Sequence, residues 1–480
     1  MPRPVSLPGQ TRQETAYRAL RDAILDGLLA PGSAVPSSRS LGARWEMARG
    51  TLEAVLDRLR VEGYIERRTG AGSRVQAALP EHYSTPAVST RAPRRQPGPG
   101  ALPALAPGHA QVGVPFVARL ANPALFDRQE WASCLQRALR QQPLESWSRA
   151  EPAGAQALRE QVAQYLRRHR GIACTPDEVL ITHGIRHSAD LVARCLLRPG
   201  DQVLVEDPGY PALHGIFERA GACLAYVPVD EQGLRTEHLA SYPMARLACV
   251  TSAHQAPLGA SLAAARRVAL LAWAERAGGW VLEDDYDSEF NYRSAPLPAL
   301  KAIDRQERVI HCGSFNQGLF ANLRLGYLLA PAPVRDQVLA LWQSVGRSAG
   351  VSEQWGLAAY MHSGAHQRHL RRARLACQAV RDVLLAALKE HGQGRLRVTG
   401  EHAGFHLTLW LPADCDMAAL LAAAGPQGLV LQSLSDLCRT VHLPPALILG
   451  YAALTQAQAR ESGRTLAKLI VACCRGGEAG

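Results

Sequence analysis

The sequence predicts an α/β protein of two parts, a small helical N-terminal domain and a large domain with a mainly parallel central sheet. The first observation is length, because 480 residues exceed one ordinary domain. The second is a compact pattern of helices and short strands over residues 12–76. The third is the alternation of short apolar runs with helical ones from about residue 113 onward. The predicted boundaries are therefore 1–76, a linker at 77–112, and 113–480.

The N-terminal segment predicts three helices and a two-stranded wing. The stretch "ETAYRALRDAILDGLL" places apolar side chains at a helical spacing, at Tyr17, Leu20, Ile24 and Leu28. "SSRSLGARWEMARGTLEAVLDRLRVEGYIERR" predicts a short helix, a turn and a second amphipathic helix that ends near Gly63. Residues 64–67 and 73–75 predict two short strands around a turn at 69–72. Together these elements form the plan of a winged helix-turn-helix.

This plan predicts contact with double-stranded DNA. The second helix of such a motif enters the major groove, with its first residues facing base edges and phosphates. Here that helix is expected to begin near Ala48. The residues expected to form the interface are Arg39 at the start of the preceding helix, Arg49 and Thr51 in the first turn, Gly70 and Gly72 in the wing turn, and Arg74 in the wing.

The charge distribution favours the same interpretation. The net charge is +11, and the first 100 residues hold 15 arginines against nine acidic residues. An excess of six positive charges therefore lies in about one fifth of the chain. A basic segment is mild evidence for a nucleic-acid partner. Taken alone, it is equally compatible with an ordinary solvated surface.

The remaining composition is typical of a globular cytoplasmic protein. The N-terminus lacks an apolar signal core, and no run of 18 apolar residues predicts a membrane span. The 11 cysteines show no metal-binding spacing, which favours a reducing compartment. Residues 77–112 are rich in Pro, Ala and Gly without any period, as expected for a linker. Its arginines could touch DNA phosphates, although a solubilising role fits them better.

The large domain predicts a sheet with ligands at one edge. The runs "EVLITHG", "QVLVEDPG", "LACVTSA", "WVLEDDY" and "RVIHCGS" are short apolar strands, most of them ending in polar or glycine-rich turns. Helical stretches such as "AAARRVALLAWAERAG" lie between some of them. This alternation predicts a mainly parallel sheet covered on both faces, with a ligand site at the carboxyl ends of the strands.

Two family resemblances sharpen these expectations. The stretch "YRALRDAILDGLLAPGSAVPSSRSLGARWEMARGTLEAVLDRLRVEGYIERRTGAGSRV" resembles the GntR-type winged helix over its full length. Where that family usually has a Ser or Thr before the recognition helix, this chain has Ala48, and a missing N-cap costs about 1 kcal/mol. "LLRPGDQVLVEDPGYPAL", "VLEDDYDSEFNYRSAPLPAL" and "CGSFNQGLFANLRLGYLLAP" resemble the MocR-type regulators. Those proteins join a GntR-like reader to a domain similar to fold-type-I, pyridoxal-phosphate-dependent aminotransferases.

The resemblance implies a cofactor site and a homodimer, since active sites of this fold usually lie at a dimer interface. Asp284 would hold the pyridine nitrogen protonated, and Tyr286 would donate to the phenolic oxygen. Tyr210 would stack on the ring face. Ser314 and Arg324 would bind the phosphate, the arginine through a bidentate fork. The remaining positions, with weaker support, are His254 and Gln255 near the ring oxygen and Gly184 in the "THGIRH" turn.

Several positions depart from the family pattern. Gln317 replaces the lysine that bonds to the cofactor aldehyde, and a carboxamide nitrogen cannot form that bond because its lone pair is delocalised. The three lysines of the chain are Lys301, Lys389 and Lys468, none of which is a clear substitute. The other changed positions are His183, Arg186 and His187 in "THGIRH", Arg149 in "RAEPAG" and Ala256 in "HQAP".

Three functions follow as alternatives. The first is a cytoplasmic transcription regulator whose aminotransferase-like domain dimerises and binds a small anion, pyridoxal phosphate or a related molecule held without a covalent bond. The second is an active aminotransferase with an attached DNA-binding domain, which the absence of the lysine disfavours. The third keeps the regulator but leaves the large domain as a dimerisation scaffold without a cofactor. The retained Asp284, Tyr286, Tyr210 and Arg324 modestly favour the first over the third.

Overall fold

A computed structural model describes residues 11–68, 72–77, 79, 113–118, 120–148, 151–292, 298–345 and 350–474. The chain divides into two compact units, Met1–Ala106 and Pro107–Gly480. The predicted wing residue Gly70, most of the predicted linker and Arg149 lie outside the described residues.

The N-terminal unit contains the three predicted helices. They are α1 (Arg12–Leu25), α2 (Ser38–Trp45) and α3 (Arg49–Val61). The first helix is shorter than its apolar spacing suggests. It is capped at Asp26, and Gly27 follows in the left-handed region at φ 76°, so the helix ends before Leu28. Leu28 lies beyond the helix and is 71% exposed, so its predicted place in the helical apolar spacing was wrong.

The wing is a three-stranded sheet where two strands were predicted. Its strands are β1 (Ala34–Val35), β2 (Ile65–Arg68) and β3 (Gly72–Val75), in the order β1-β3-β2 with both pairs antiparallel. The additional strand, β1, has only two residues and lies among Pro and Gly residues. It is too short to show the alternation of apolar and polar residues that predicts a strand. The helices pack on this sheet through one apolar core that includes Leu20, Leu41, Leu52, Leu56 and Val75.

The large unit is built on an eight-stranded sheet. Its order is β4-β11-β10-β9-β8-β5-β6-β7. The strands are β4 (Val179–Thr182), β5 (Gln202–Asp207), β6 (Cys223–Asp230), β7 (Gly233–Leu234), β8 (Leu247–Val250), β9 (Trp280–Asp285), β10 (Val309–Ser314) and β11 (Gly326–Leu329). The pairs from β10 through β9, β8 and β5 to β6 are parallel, while β11 and β7 run antiparallel to their neighbours. The predicted, mainly parallel sheet is confirmed.

Helices cover both faces of this sheet, and all five predicted apolar runs are strands within it. The helices are α4 (Arg128–Gln141), α5 (Leu144–Ser148), α6 (Gln156–His169), α7 (Ile185–Leu196), α8 (Pro211–Arg219), α9 (Ala264–Ala277), α10 (Ala332–Val345), α11 (Val351–His362) and α12 (Ala365–His391). Separate apolar clusters fill the two sides, one including Leu180, Leu282 and Ile310 and the other Val281, Leu270 and Val309.

A smaller four-stranded antiparallel sheet follows α12. Its order is β12-β13-β15-β14, with β12 (Arg397–Thr399), β13 (His406–Trp410), β14 (Gln432–Ser433) and β15 (Ala446–Gly450). The helices α13 (Met417–Ala424) and α14 (Gln456–Cys473) pack against it in a core shared with α12. Within the described residues, no helix is both long enough and apolar enough to cross a lipid bilayer.

Short 3₁₀ segments connect these elements. They are Pro123–Leu125, Pro176–Glu178, Thr236–Ser241, Ser288–Phe290, Leu300–Ile303, Ala321–Leu323, Gly425–Gln427 and Leu434–Leu437.

The missing cap at Ala48 leads to a stability prediction. Thr11 and Ser37 cap α1 and α2 through side-chain oxygens, whereas Ala48 has the extended backbone of an N-cap (φ −62°, ψ 137°) and no side-chain bond. Ala48→Ser should therefore raise the free energy of unfolding of the N-terminal unit by about 1 kcal/mol. The measurement is urea unfolding of a fragment of residues 1–80. Ala54→Ser, exposed within the same helix, is the matched control and should give no gain. Equal stabilities for the two variants would contradict the capping argument.

Candidate functional site

The carboxyl ends of the strands open into a cleft of about 620 Å³. The strands β4, β9 and β10 point their carboxyl ends the same way, so the residues that follow them meet at one edge of the sheet. Of the predicted site residues, those lining this cleft are Tyr210, Asp284, Tyr286, Ser314 and Arg324, together with Gln317 and the departures His183, Arg186 and His187.

Asp284 is a buried carboxylate beside the cleft. It is 3% exposed and stands at the end of β9, in register with Cys312 on β10. Burial and the nearby Asp284 carboxylate raise the pKa of the Cys249 and Cys312 thiols, which therefore stay neutral around this acid. A buried carboxylate among neutral groups suits a ligand that places a positive charge against it.

Ser314 lies at the end of β10 and forms one wall of the cleft. Its hydroxyl accepts a hydrogen bond from the backbone N–H of Asn316 at 3.3 Å. Gly184 packs directly against this wall with φ 101°, and a Cβ there would lie 3.1 Å from Ser314 Oγ and 2.8 Å from Asn316 Nδ2. Gly184 therefore does not line the cleft itself. It permits the close approach of the two turns that do.

Arg324 lies opposite, at the start of the short turn into β11. Its backbone is left-handed (φ 54°, ψ 41°), and its carbonyl accepts a hydrogen bond from His183 Nδ1 at 3.1 Å. This bond ties the turn that carries Arg324 to the turn after β4. The arginine side chain is exposed on the cleft side, where its planar fork can meet an anionic group.

Tyr210 is held by Arg186, a residue that departs from the family pattern. The Arg186 guanidinium donates to the Tyr210 hydroxyl, with Nε at 3.0 Å, and lies 5.4 Å from the centre of its ring. Burial and the neighbouring His183 lower the pKa of His187 to about 4, so that imidazole is neutral at pH 7. Among the described residues, the cleft is lined by two arginines, Arg186 and Arg324, and by one carboxylate, Asp284. This lining is positive overall, which favours an anionic ligand.

Gln317 lines the cleft with an amide whose oxygen makes no hydrogen bond. Its Oε1 is buried and has no hydrogen-bond partner in the part of the chain that the structure describes. Buried acceptors are normally satisfied, so this atom suits a ligand donor. The three lysines all lie in described segments, and none of them lines the cleft.

His254 and Gln255 are buried outside the cleft lining. His254 Nδ1 lies 2.7 Å from Asp287 Oδ2 and 3.2 Å from the Tyr286 hydroxyl, and Nε2 lies 3.2 Å from the Gly400 carbonyl. Both ring nitrogens face acceptors, and although burial opposes the charged form, the Asp287 carboxylate raises the pKa of His254. His254 therefore contacts the Tyr286 hydroxyl and does not itself line the cleft, where it was expected to lie near the ring oxygen of the cofactor.

Gln255 is occupied by its own loop. Its Nε2 donates to the carbonyl oxygens of Pro208 and Ala256, both at 2.9 Å, and its Oε1 accepts from the Leu258 amide at 3.0 Å. These bonds shape the loop after β8 and connect it to the loop that carries Tyr210. Its arrangement in the structure is therefore that of a positioning residue rather than of a ring contact.

The sequence analysis missed two residues that organise the cleft. Asn316 joins three turns, because its Oδ1 accepts from the Leu325 amide at 3.0 Å and its Nδ2 donates to the His183 carbonyl at 3.4 Å. Asp207, 0% exposed at the end of β5, accepts from the amides of Arg439, Thr440 and Val441 and from the Thr440 hydroxyl. The spacing of residues in the sequence predicts neither role. For Asp207, its position directly before the Pro-Gly-Tyr turn could have indicated a structural role.

The predicted DNA-contacting residues lie on the N-terminal unit as follows. Arg39 is exposed in the first turn of α2, and Arg49 is the exposed first residue of α3. Thr51 is half-buried on the same helix. Gly72 begins β3 at φ 77°, and Arg74 on that strand donates to the Gly32 carbonyl at 2.9 Å. Arg44, which the sequence analysis did not single out, is also exposed near the end of α2.

Comparison with known proteins gives the same two-part division. Residues 126–461 match the family of class I and II aminotransferases, and residues 12–75 match the gntR family of bacterial regulatory proteins. Among solved structures, the kynurenine aminotransferase of Pyrococcus horikoshii superposes with a TM-score of 0.70 at 23% identity, covering 76% of this chain and 93% of its own. An archaeal alanine:glyoxylate aminotransferase gives 0.69 at 26% identity, covering 76% and 92%.

Full-length relatives are regulators. The chain is 30% identical over 472 residues to the probable rhizopine catabolism regulatory protein MocR of Rhizobium meliloti, which covers 95% of this chain and 93% of the relative. It is 33% identical to the regulator TauR of Rhodobacter capsulatus, covering 86% and 87%, and 32% identical to the pyridoxine biosynthesis regulator PdxR of Corynebacterium glutamicum, covering 90% and 87%. The chain therefore belongs to the MocR-type transcriptional regulators of the GntR family, in which a helix-turn-helix reader is joined to an aminotransferase-like domain.

Proposed function

We propose that this regulator binds operator DNA as a homodimer and responds to pyridoxal phosphate, or a closely similar anion, held reversibly in the cleft without a covalent bond. One observation carries the proposal: the cleft collects Tyr210, Asp284, Ser314 and Arg324 around the amide of Gln317. The groups for recognising a phosphorylated pyridine are present, while the amine that would bond to its aldehyde is absent.

The residues fit such a ligand at each end. Asp284 is buried where a pyridinium nitrogen needs a counter-charge, and Tyr210 offers a ring face beside it. Ser314 and Arg324, which both line the cleft, would bind the phosphate, and Arg186 would add a second positive charge. Tyr286, whose hydroxyl contacts His254, would donate to the ring oxygen. When bound, the cofactor would supply an electron-withdrawing ring and an aldehyde.

Catalysis of amino-group transfer does not follow from this binding. The reaction needs an amine at the position of Gln317 that can carry a proton to and from the substrate carbon. A carboxamide neither bonds to the aldehyde nor serves as a general acid or base near neutral pH, because its nitrogen lone pair is delocalised into the carbonyl. The chain's own groups in the cleft therefore bind and orient a ligand, and the aminotransferase alternative is disfavoured.

The relatives support the regulatory assignment and the class of ligand. MocR, TauR and PdxR are regulators by name, and the name of PdxR refers to pyridoxine biosynthesis. A homodimer is expected because this fold usually dimerises, and a dimer of readers fits a two-fold symmetric operator. We assign the protein to the cytoplasm, where its DNA target lies.

The N-terminal unit is proposed to read DNA chiefly through Arg49. It is the first residue of α3, exposed, and it makes no ion pair within the described residues, unlike Arg67, which pairs with Glu53 at 2.8 Å. Arg39, Arg74 and the glycine turn of the wing are assigned to the DNA backbone, with Thr51 beside Arg49 on the reading helix.

Arg49→Ala is expected to weaken operator binding by about 1–3 kcal/mol if the side chain contacts a base. The measurement is fluorescence anisotropy with labelled operator at fixed salt, using full-length protein. Arg60→Ala, exposed in the last turn of the same helix, removes the same charge and should have a smaller effect. Equal affinities for Arg49→Ala and the unsubstituted protein would remove Arg49 from the interface.

Gln317→Lys should convert reversible binding into a covalent, reducible adduct. The new amine would stand at the cleft wall between Ser314 and Arg324, so added pyridoxal phosphate should give a yellow protein whose cofactor is fixed by borohydride. The unsubstituted chain should release the cofactor on dialysis, retain nothing after borohydride, and transfer no amino group faster than free cofactor does.

The control is Gln317→Met, which matches the side-chain length without an amine and should bind without fixation. A colourless Gln317→Lys protein at saturating cofactor would mean that the other changes have abolished the site. Fixation to the unsubstituted chain would show that another amine reaches the aldehyde. Either result contradicts the proposal.

A further inference from the structure

A second cavity lies away from the cleft, between the end of α6 and the exposed side of α12. Its volume is about 420 Å³, and none of the described residues lines both this cavity and the cleft. The part of α12 that borders it is unusually basic, because residues 365–381 contain five arginines and no acid. Nothing in the proposed function uses this cavity.

Three arginines face the cavity without a compensating acid of their own. Arg371 and Arg374 are one helical turn apart on α12, and Arg168 comes from the last turn of α6. All three are exposed, and none forms an ion pair or hydrogen bond with any residue the structure describes. By contrast, Arg368 on the same helix pairs with Glu130 at 2.6 Å. Like charges held together around a concavity repel unless an anion sits between them.

The acids at the floor of the cavity already have partners. Asp285, behind the cavity, accepts from the buried Arg170 at 2.6 Å. Glu289 accepts a hydrogen bond from the Tyr165 hydroxyl at 2.5 Å. Burial and the Asp285 carboxylate raise the pKa of Glu289 above its usual range. The floor therefore does not neutralise the arginines at the rim.

We propose that Arg168, Arg371 and Arg374 form a second ligand site, which binds a compact anion with two or more phosphate or carboxylate groups. Each guanidinium presents a planar fork that matches such a group bidentately. The cavity volume is within the range of small-molecule sites and too small for a folded partner. A helix surface that is merely solvated would intersperse both signs of charge and would not need a concavity.

Inorganic pyrophosphate is the probe, titrated into full-length protein by isothermal calorimetry at low ionic strength. Arg371→Gln with Arg374→Gln should lose one saturable site or weaken it about tenfold or more. The matched control is Arg137→Gln with Arg140→Gln, two exposed arginines at the same spacing on α4, which should bind as the unsubstituted protein does. Arg324→Gln removes the anion site of the cleft and should leave this second site intact, so the two sites are distinguished.

Three results would overturn the proposal. In the first, the unsubstituted protein binds no pyrophosphate outside the cleft. In the second, the Arg371/Arg374 variant binds pyrophosphate as the unsubstituted protein does. In the third, that variant loses operator affinity, while neither it nor the unsubstituted protein binds pyrophosphate. The last result would assign this surface to DNA phosphates instead. A midpoint temperature of thermal unfolding equal to that of the unsubstituted protein would establish that each variant is folded.

Discussion

Four buried acids in five residues at the end of β9 impose the constraint on which the large unit depends. Glu283, Asp284, Asp285 and Asp287 are each 6% exposed or less, and burying uncompensated carboxylates costs several kcal/mol apiece. The strand alternation sends Asp284 to one face of the sheet and its neighbours to the other. Each neighbour is bound to a side chain of another segment, Glu283 to His311, Asp285 to Arg170 and Asp287 to His254, and these contacts hold the strand end and with it Asp284 in place.

These partners are specific. Burial alone would raise the pKa of Glu283, but His311 at 2.9 Å, the Ser252 hydroxyl and the Leu300 amide lower it to about 2. Asp285 pairs with Arg170, and Asp287 pairs with His254. Of the four acids, Asp284 is the one that lines the cleft. We propose that Gln317 occupies the position of the family's lysine. None of these hydrogen bonds and ion pairs of Glu283, Asp285 and Asp287 involves Gln317, so this framework does not depend on a lysine there.

Periodicity and turn chemistry were enough to predict the sheet, its five main strands and the edge where the cleft lies. Asp284 and Ser314 lie near the carboxyl ends of β9 and β10 and line the cleft, because neighbouring parallel strands end at the same edge of the sheet. Their contacts with a cofactor stay predictions. His254 and Gln255 were harder, since they lie in an irregular loop where no period determines the direction of a side chain. Gln255 turns into its own loop, and His254 reaches the cleft only through Tyr286. The side chains of Asn316 and Asp207 bond mainly to backbone groups of other segments, and no local sequence pattern encodes such contacts.

In the proposed regulator, ligand binding in the cleft is coupled to DNA binding. The direct measurement is the operator affinity of the full-length protein by anisotropy, with and without saturating pyridoxal phosphate, alongside the Arg324→Gln variant. Coupling of this kind is typically 1–3 kcal/mol, so the affinity should change by about fivefold or more in the unsubstituted protein and remain constant in the variant. An operator affinity that is the same with the cofactor demonstrably bound would contradict the account.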